Sequence, residues 1–113
     1  MNQKYKLLKN NNQIIIHPVR GKEVRVYRVY ALVDFDTVYG TVKANTTGGF
    51  IQSESNLPQT DASWVFHQGC VFDDAILIDS AVTGTAQVFG NAILRETLIT
   101  DQARIFGTTN LDD

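Results

Sequence analysis

A chain of 113 residues with a net charge of −2 makes one small domain with a limited core. It has no apolar run near twenty residues, which excludes a transmembrane helix, and its start, MNQKYKLLKNNN, lacks the apolar stretch of a signal peptide; a cytoplasmic protein with no membrane partner is expected. The single cysteine, Cys70, excludes an internal disulfide framework and a multi-cysteine metal site, and no metal or cofactor is expected.

The charge is unevenly placed. Eight cationic side chains against three carboxylates give residues 1–43 a net +5, and two against nine give residues 44–113 a net −7. The cations Arg20, Lys22, Arg25 and Arg28 are spaced as on solvated strands, so they are candidates for electrostatic contact with an acidic surface of this or another subunit. Nucleic acid is not expected as a direct ligand.

In chain order, Lys4 to Lys9 has weak strand character and Asn10-Asn11-Asn12 reads as a turn. Gln13 to His17 reads as a strand ended by Pro18, and Val19 to Lys22 as a Gly-containing turn. From Glu23 to Phe35 the chain alternates, with Val24, Val26, Arg28, Tyr30 and Leu32 on one side and Arg25, Tyr27, Val29, Ala31 and Val33 on the other. This predicts a hairpin of 13–17 with 24–33, apolar on both faces and packed on something. Residues 1–35 are thus an expected N-terminal cap. Residues 36–57, broken at Tyr39-Gly40 and Thr47-Gly48-Gly49, form a transition in which the regular repeat has not begun.

Residues 58–113 repeat. Blocks of seventeen superimpose as PQTDASWVFHQGCVFDD, AILIDSAVTGTAQVFGN and AILRETLITDQARIFGT, and Thr109-Asn110-Leu111 opens a fourth. Each block holds three units written small–x–aliphatic, such as Ala75-x-Leu77, Ser80-x-Val82 and Ala86-x-Val88. That period predicts an all-β fold, a short parallel β-helix of triangular cross-section with about three 17-residue coils and an antiparallel hairpin cap. Three inward ladders follow: Val65, Val82 and Ile99; Val71, Val88 and Ile105; Leu77, Leu94 and Leu111. Corners fall at pairs such as His67-Gln68, Asp73-Asp74, Ile78-Asp79, Gly84-Thr85 and Gly107-Thr108. Ser63, Ser80 and Thr97 point inward and must find backbone partners.

Tyr27-Arg28-Val29-Tyr30-Ala31-Leu32-Val33-Asp34-Phe35, then Gly48-Gly49-Phe50-Ile51 and Ser53-Glu54-Ser55-Asn56-Leu57, then the coils, resemble a family of bacterial and phage proteins. Its members carry a YRI-ALKDF segment, a GG-aromatic-I and ESE-NL segment and WVYGNARVYGNA-type repeats. They are similar to left-handed parallel β-helices and mostly lack an assigned activity. The likeness covers about residues 27–108 and implies left-handed coiling, which spacing does not determine. The chain departs from that pattern in its small number of coils, its fewer Gly-Asn corners and its more numerous outward apolar residues. The family offers no catalytic residues to transfer.

Function is therefore sought outside the triangle. Phe72, Phe89 and Phe106 share an outward column, Ile76 and Ile93 another, and Trp64, Ala81 and Leu98 a third. Such apolar stripes predict a non-enzymatic interaction module that self-associates, as a dimer, and binds a protein partner; the phage-type resemblance suggests inhibition of a host defence complex. The alternative is a minimal hexapeptide-type acyltransferase, which needs a catalytic histidine. The two candidates are His17, on a hairpin strand, and His67, at a corner; both read as surface or packing histidines. Cys70 lacks a nearby base in the repeat alignment.

Overall fold

The structure is a computed structural model and describes residues 3–107 and the backbone of residues 110–112. Two long strands come first, β1 (Tyr5–Ile16) and β2 (Glu23–Ala31), followed by β3 (Phe35–Asp36), β4 (Thr41–Val42) and β5 (Thr47–Ile51). The coils then supply β6 (Trp64–Val65), β7 (Cys70–Val71), β8 (Ile76–Ile78), β9 (Ala81–Val82), β10 (Gln87–Val88), β11 (Ile93–Arg95), β12 (Leu98–Ile99), β13 (Arg104–Ile105) and β14 (Asn110–Asp112).

The coils stack as a parallel β-solenoid of about three turns. Val65 lies opposite Val82 and Val82 opposite Ile99; Val71, Val88 and Ile105 align, as do Leu77, Leu94 and Leu111 in backbone register. These are the expected inward ladders. Their buried members, with Ala75, Ala86 and Ala92, form the main core. The corners are where the turn residues lie: His67, Gly84 and Asp101 share one left-handed column, Asp73, Gly90 and Gly107 a second, and Asp79 and Glu96 a third. The expectations at Thr108, Thr109 and Asp113 lie outside the described residues.

The inward hydroxyls find their partners along the stack. Ser63 Oγ accepts from Ser80 N at 3.0 Å, and Ser80 Oγ accepts from Thr97 N at 3.1 Å. Each of the upper two also donates to a carbonyl two residues back, Ser80 to Ile78 O and Thr97 to Arg95 O. The hydroxyl ladder, buried at Ser63 and Ser80, therefore carries no unpaired member, and it locks coil to coil at the third corner.

The solenoid begins earlier than its 17-residue period suggests. β5 pairs in parallel with β7, placing Phe50 beside Cys70 and Ile51 beside Val71, twenty residues apart. The longer connection holds a short 3-10 turn, Glu54–Asn56. Within it, buried Asn56 accepts from Gln52 N and Ser53 N and donates to Asp73 O and Ala75 O. A side-chain amide thus does the pairing that a strand does in the coils above. Gly48 and Gly49 are required by close approach: a Cβ would lie 2.3 Å from Val65 O at Gly48 and 2.4 Å from Gly69 O at Gly49.

The hairpin also departs from expectation. Asn10-Asn11-Asn12 is no turn; β1 runs straight through it, with a bulge between Leu8, opposite Arg28, and Asn12, opposite Tyr27. Asn12 Nδ2 bonds Lys9 O at 2.8 Å, and this local bond closes the bulge. β2 pairs antiparallel with β5, so the hairpin extends one six-stranded sheet in the order β1-β2-β5-β7-β10-β13. Its two apolar faces have different duties. Val29 and Ala31, with Tyr5 and Val42, join the main core and close the lumen. Val24 and Val26, with Ile15 against them, form a second core with Phe50, Cys70, Phe72 and Phe89. Among the described residues no helix is long and apolar enough to cross a membrane.

Candidate interaction surfaces

The phenylalanine column exists as a stack. Phe72 and Phe89 lie 4.9 Å apart and Phe89 and Phe106 5.1 Å apart, their planes within 4° and 6° of parallel. It is not, however, a stripe open to a partner. Phe72 and Phe89 are buried, and only Phe106, 49% exposed, reaches solvent. The hairpin end folds across the column and sets the His17 ring edge-on to Phe72 at 5.5 Å and to Phe89 at 5.1 Å. The expectation of Phe72 and Phe89 as contact residues is corrected accordingly: their own chain covers them.

A polar clasp holds this cover down. His17 Nε2 lies 2.7 Å from Asp73 Oδ2, and Arg20 Nη2 lies 2.7 Å from Asp73 Oδ1. Gly90 N also donates to Asp73 Oδ2 at 3.0 Å. On the other side of the ring, Val19 N and Arg20 N donate to His17 Nδ1 at 3.2 and 3.1 Å. An Nδ1 that accepts two backbone bonds carries no proton, so Nε2 holds the hydrogen and donates it to Asp73. Neither ring nitrogen is then free to take a proton from a substrate. Asp73 stands at a corner where the next coils have Gly90 and Gly107, and this departure is the one sequence signal of the clasp. Its partners lie 53 and 56 residues away, so the pairing itself is invisible in the repeat.

Beside the clasp lies an open cleft of about 850 Å³, walled by Phe89 and Phe106 and rimmed by Arg20, Ser53, Asp74 and Asn91. The lining holds two carboxylates, Asp73 and Asp74, against the one guanidinium of Arg20, which is paired with Asp73, so the cleft offers no net positive field.

The third column is corrected as well. Trp64 is buried, with Tyr5 edge-on at 6.0 Å and Phe35 at 5.4 Å, because the β3–β4 hairpin and the start of β1 cover the first coil. Ala81 is buried too, while Leu98 is 42% exposed. Ile76 and Ile93, neighbours in register, are half-buried. Of the expected surface, then, Leu98, Phe106, Ile76 and Ile93 remain at the surface, all on the later coils.

Of the four cations, Arg20 is pinned to Asp73, and Arg25 bonds Asn12 Oδ1. Arg28 lies over the Phe50 ring at 4.3 Å and bonds Gly48 O. Lys22 is exposed. They do not converge on one site. His67 is exposed at its corner, near the Tyr39 and Phe66 rings. Cys70 points away from the lumen yet is buried under the hairpin, and burial pushes its thiol up to about 12, which keeps it protonated and unreactive at neutral pH. Lys4, which did not figure as a candidate, is buried: its Nζ donates to Ser63 O at 2.8 Å and to Asp61 O at 3.0 Å, and desolvation lowers its pKa. It ties the N-terminal strand to the first coil. Among the described residues no three His, Cys, Asp or Glu side chains group as metal ligands. No family model matches the chain, and no curated protein matches it.

Proposed function

We propose that the protein is a non-enzymatic interaction module, a rigid solenoid that self-associates and presents apolar side chains to a protein partner in the cytoplasm. The observation that carries this reading is the set of apolar side chains at the surface of the coils, with Leu98 and Phe106 exposed and Ile76 and Ile93 half-buried. Exposed apolar groups on a stiff stack mark an interface more readily than a packing need. The likeness to phage-borne β-helices favours a partner in a host defence complex. The acyltransferase alternative is weakened by His17, whose two nitrogens are both bonded within the chain.

The test uses immobilised full-length protein and extract from a bacterial host. The Leu98→Asp/Phe106→Asp variant is expected to keep its fold, by circular dichroism, and to lose the captured protein. Capture that survives the double variant contradicts the reading. Acyl transfer that disappears in His17→Ala or His67→Ala would establish the enzyme instead. Phe89→Asp does not serve here, because it places a carboxylate in a buried stack and destabilises the fold.

A further inference from the structure

The sheet that the hairpin extends has a free edge at β1, its outermost strand among the described residues. The direction of its backbone groups can be read from the ladder. His17 N donates to Lys22 O at 2.7 Å, and Ile16, Ile15 and Ile14 lie opposite Glu23, Val24 and Arg25. Bonded and non-bonded pairs alternate in an antiparallel ladder, so Gln13 and Ile15 turn their N–H and C=O toward β2, while Ile14 and Ile16 turn theirs away. The same alternation holds at the other end. Leu32 N donates to Lys4 O, which leaves Tyr5 facing outward.

The edge is guarded along most of its length. At Tyr5 both outward groups are taken by one side chain: Tyr5 N donates to Gln59 Oε1 at 3.1 Å and Gln59 Nε2 donates to Tyr5 O at 3.2 Å. In the middle stand exposed Lys6 and Lys9 and the bulge before Asn12. Lysines and bulges are the usual devices against edge pairing. From Gln13 to Ile16 there is no charge, proline or covering side chain, and Ile14 and Ile16 are 46% and 61% exposed. The residues whose backbone groups are free are the ones with bare apolar side chains.

We propose that this end of β1 docks a second copy of the chain, as an antiparallel two-fold strand pair that sets Ile14 of one copy opposite Ile16 of the other. The register favours a second copy: a two-fold through Ile15 sets the outward N–H and C=O of Ile14 against those of Ile16 in both rows and brings the exposed isoleucines onto one face. On β2, Arg25 flanks Ile14 and Glu23 flanks Ile16, both exposed. The two-fold exchanges them, so each row across the joined sheets runs Arg25, Ile14, Ile16, Glu23, and the four isoleucines form one block between the charged residues of the two β2 strands. The contact is closed, because pairing occupies the same edge on both copies. It shares self-association with the proposed function and uses a different surface from the coils.

Light scattering on the full-length chain at micromolar concentration tests it. The expected mass is twice 12.6 kDa for the wild type and half that dimer value for Ile14→Lys/Ile16→Lys, with the circular dichroism spectrum unchanged. A wild type at the single-chain mass overturns the proposal, as does a variant that remains dimeric. Ile14→Cys/Ile16→Cys is expected to oxidise to a covalent dimer, Cys70 being buried; a monomer after oxidation overturns the register. The Leu98→Asp/Phe106→Asp variant is expected to remain dimeric. If it dissociates, the edge proposal fails and the coil surface gains. If only the isoleucine variant dissociates and the coil variant loses no partner, the edge stands and the coil reading fails.

Discussion

Asp73 occupies a left-handed corner that glycine fills in the coils above, and it uses its carboxylate to hold the hairpin. Replacing it with Gly keeps the corner and removes only the clasp. Asp73→Gly is expected to cost about 1.5–3 kcal/mol, the range for charge-assisted bonds, and to speed hydrogen exchange at residues 17–22. A change confined to global stability, with no local acceleration, would contradict the clasp. Gln87 presents the opposite case, a buried Oε1 with no partner among the described residues. Gln87→Met should raise stability by about 1 kcal/mol in urea unfolding. Cys70 sets an alkaline limit. Its thiol keeps its proton in the fold up to about 12 but loses it near 9.0 once unfolded, so stability is fully present below pH 9 and falls as pH rises toward 12. Burial raises Tyr5 as well, with the same sign, while the lowered Lys4 acts against both. In Cys70→Ala the alkaline decline should be shallower, and iodoacetamide should label native wild type only after denaturation.

At the scale of elements, the Gly48-Gly49 segment shows how backbone proximity is written into sequence. Gly49→Ala brings a methyl group within 2.4 Å of Gly69 O, a backbone atom that cannot yield cheaply, and should destabilise by about 3 kcal/mol. The alternation from Val24 to Ala31 was readable because its two apolar faces demand two partners, and the fold supplies both. The continuity of β1 was not readable: three asparagines look like a turn, and only the Asn12–Lys9 bond and pairing with Arg28 and Tyr27 make them a bulge. β5 is hidden in the sequence for a related reason. Its spacing to β7 is twenty, and Asn56 replaces the strand that a 17-residue coil would have placed there.

Across the whole molecule, the inward ladders were legible because a lumen admits one pattern, small beside aliphatic, at every level. The outward columns were legible as columns. Whether they were bare was not, since that depends on where a segment fifty residues earlier folds back. Trp64, Phe72 and Phe89 are covered by the N-terminal third, while Leu98 and Phe106 stay at the surface. The hairpin therefore has two roles: it covers the aromatic stack with one face and offers the edge of β1 to a second copy. Amide exchange within β1, followed by NMR across a dilution series, tests both together. The amides of Gln13 and Ile15, bonded to β2, should exchange slowly at every concentration, and those of Ile14 and Ile16 slowly only where the dimer persists. Fast exchange at Ile14 and Ile16 in concentrated protein, or fast exchange at Ile15 in any sample, would contradict the account.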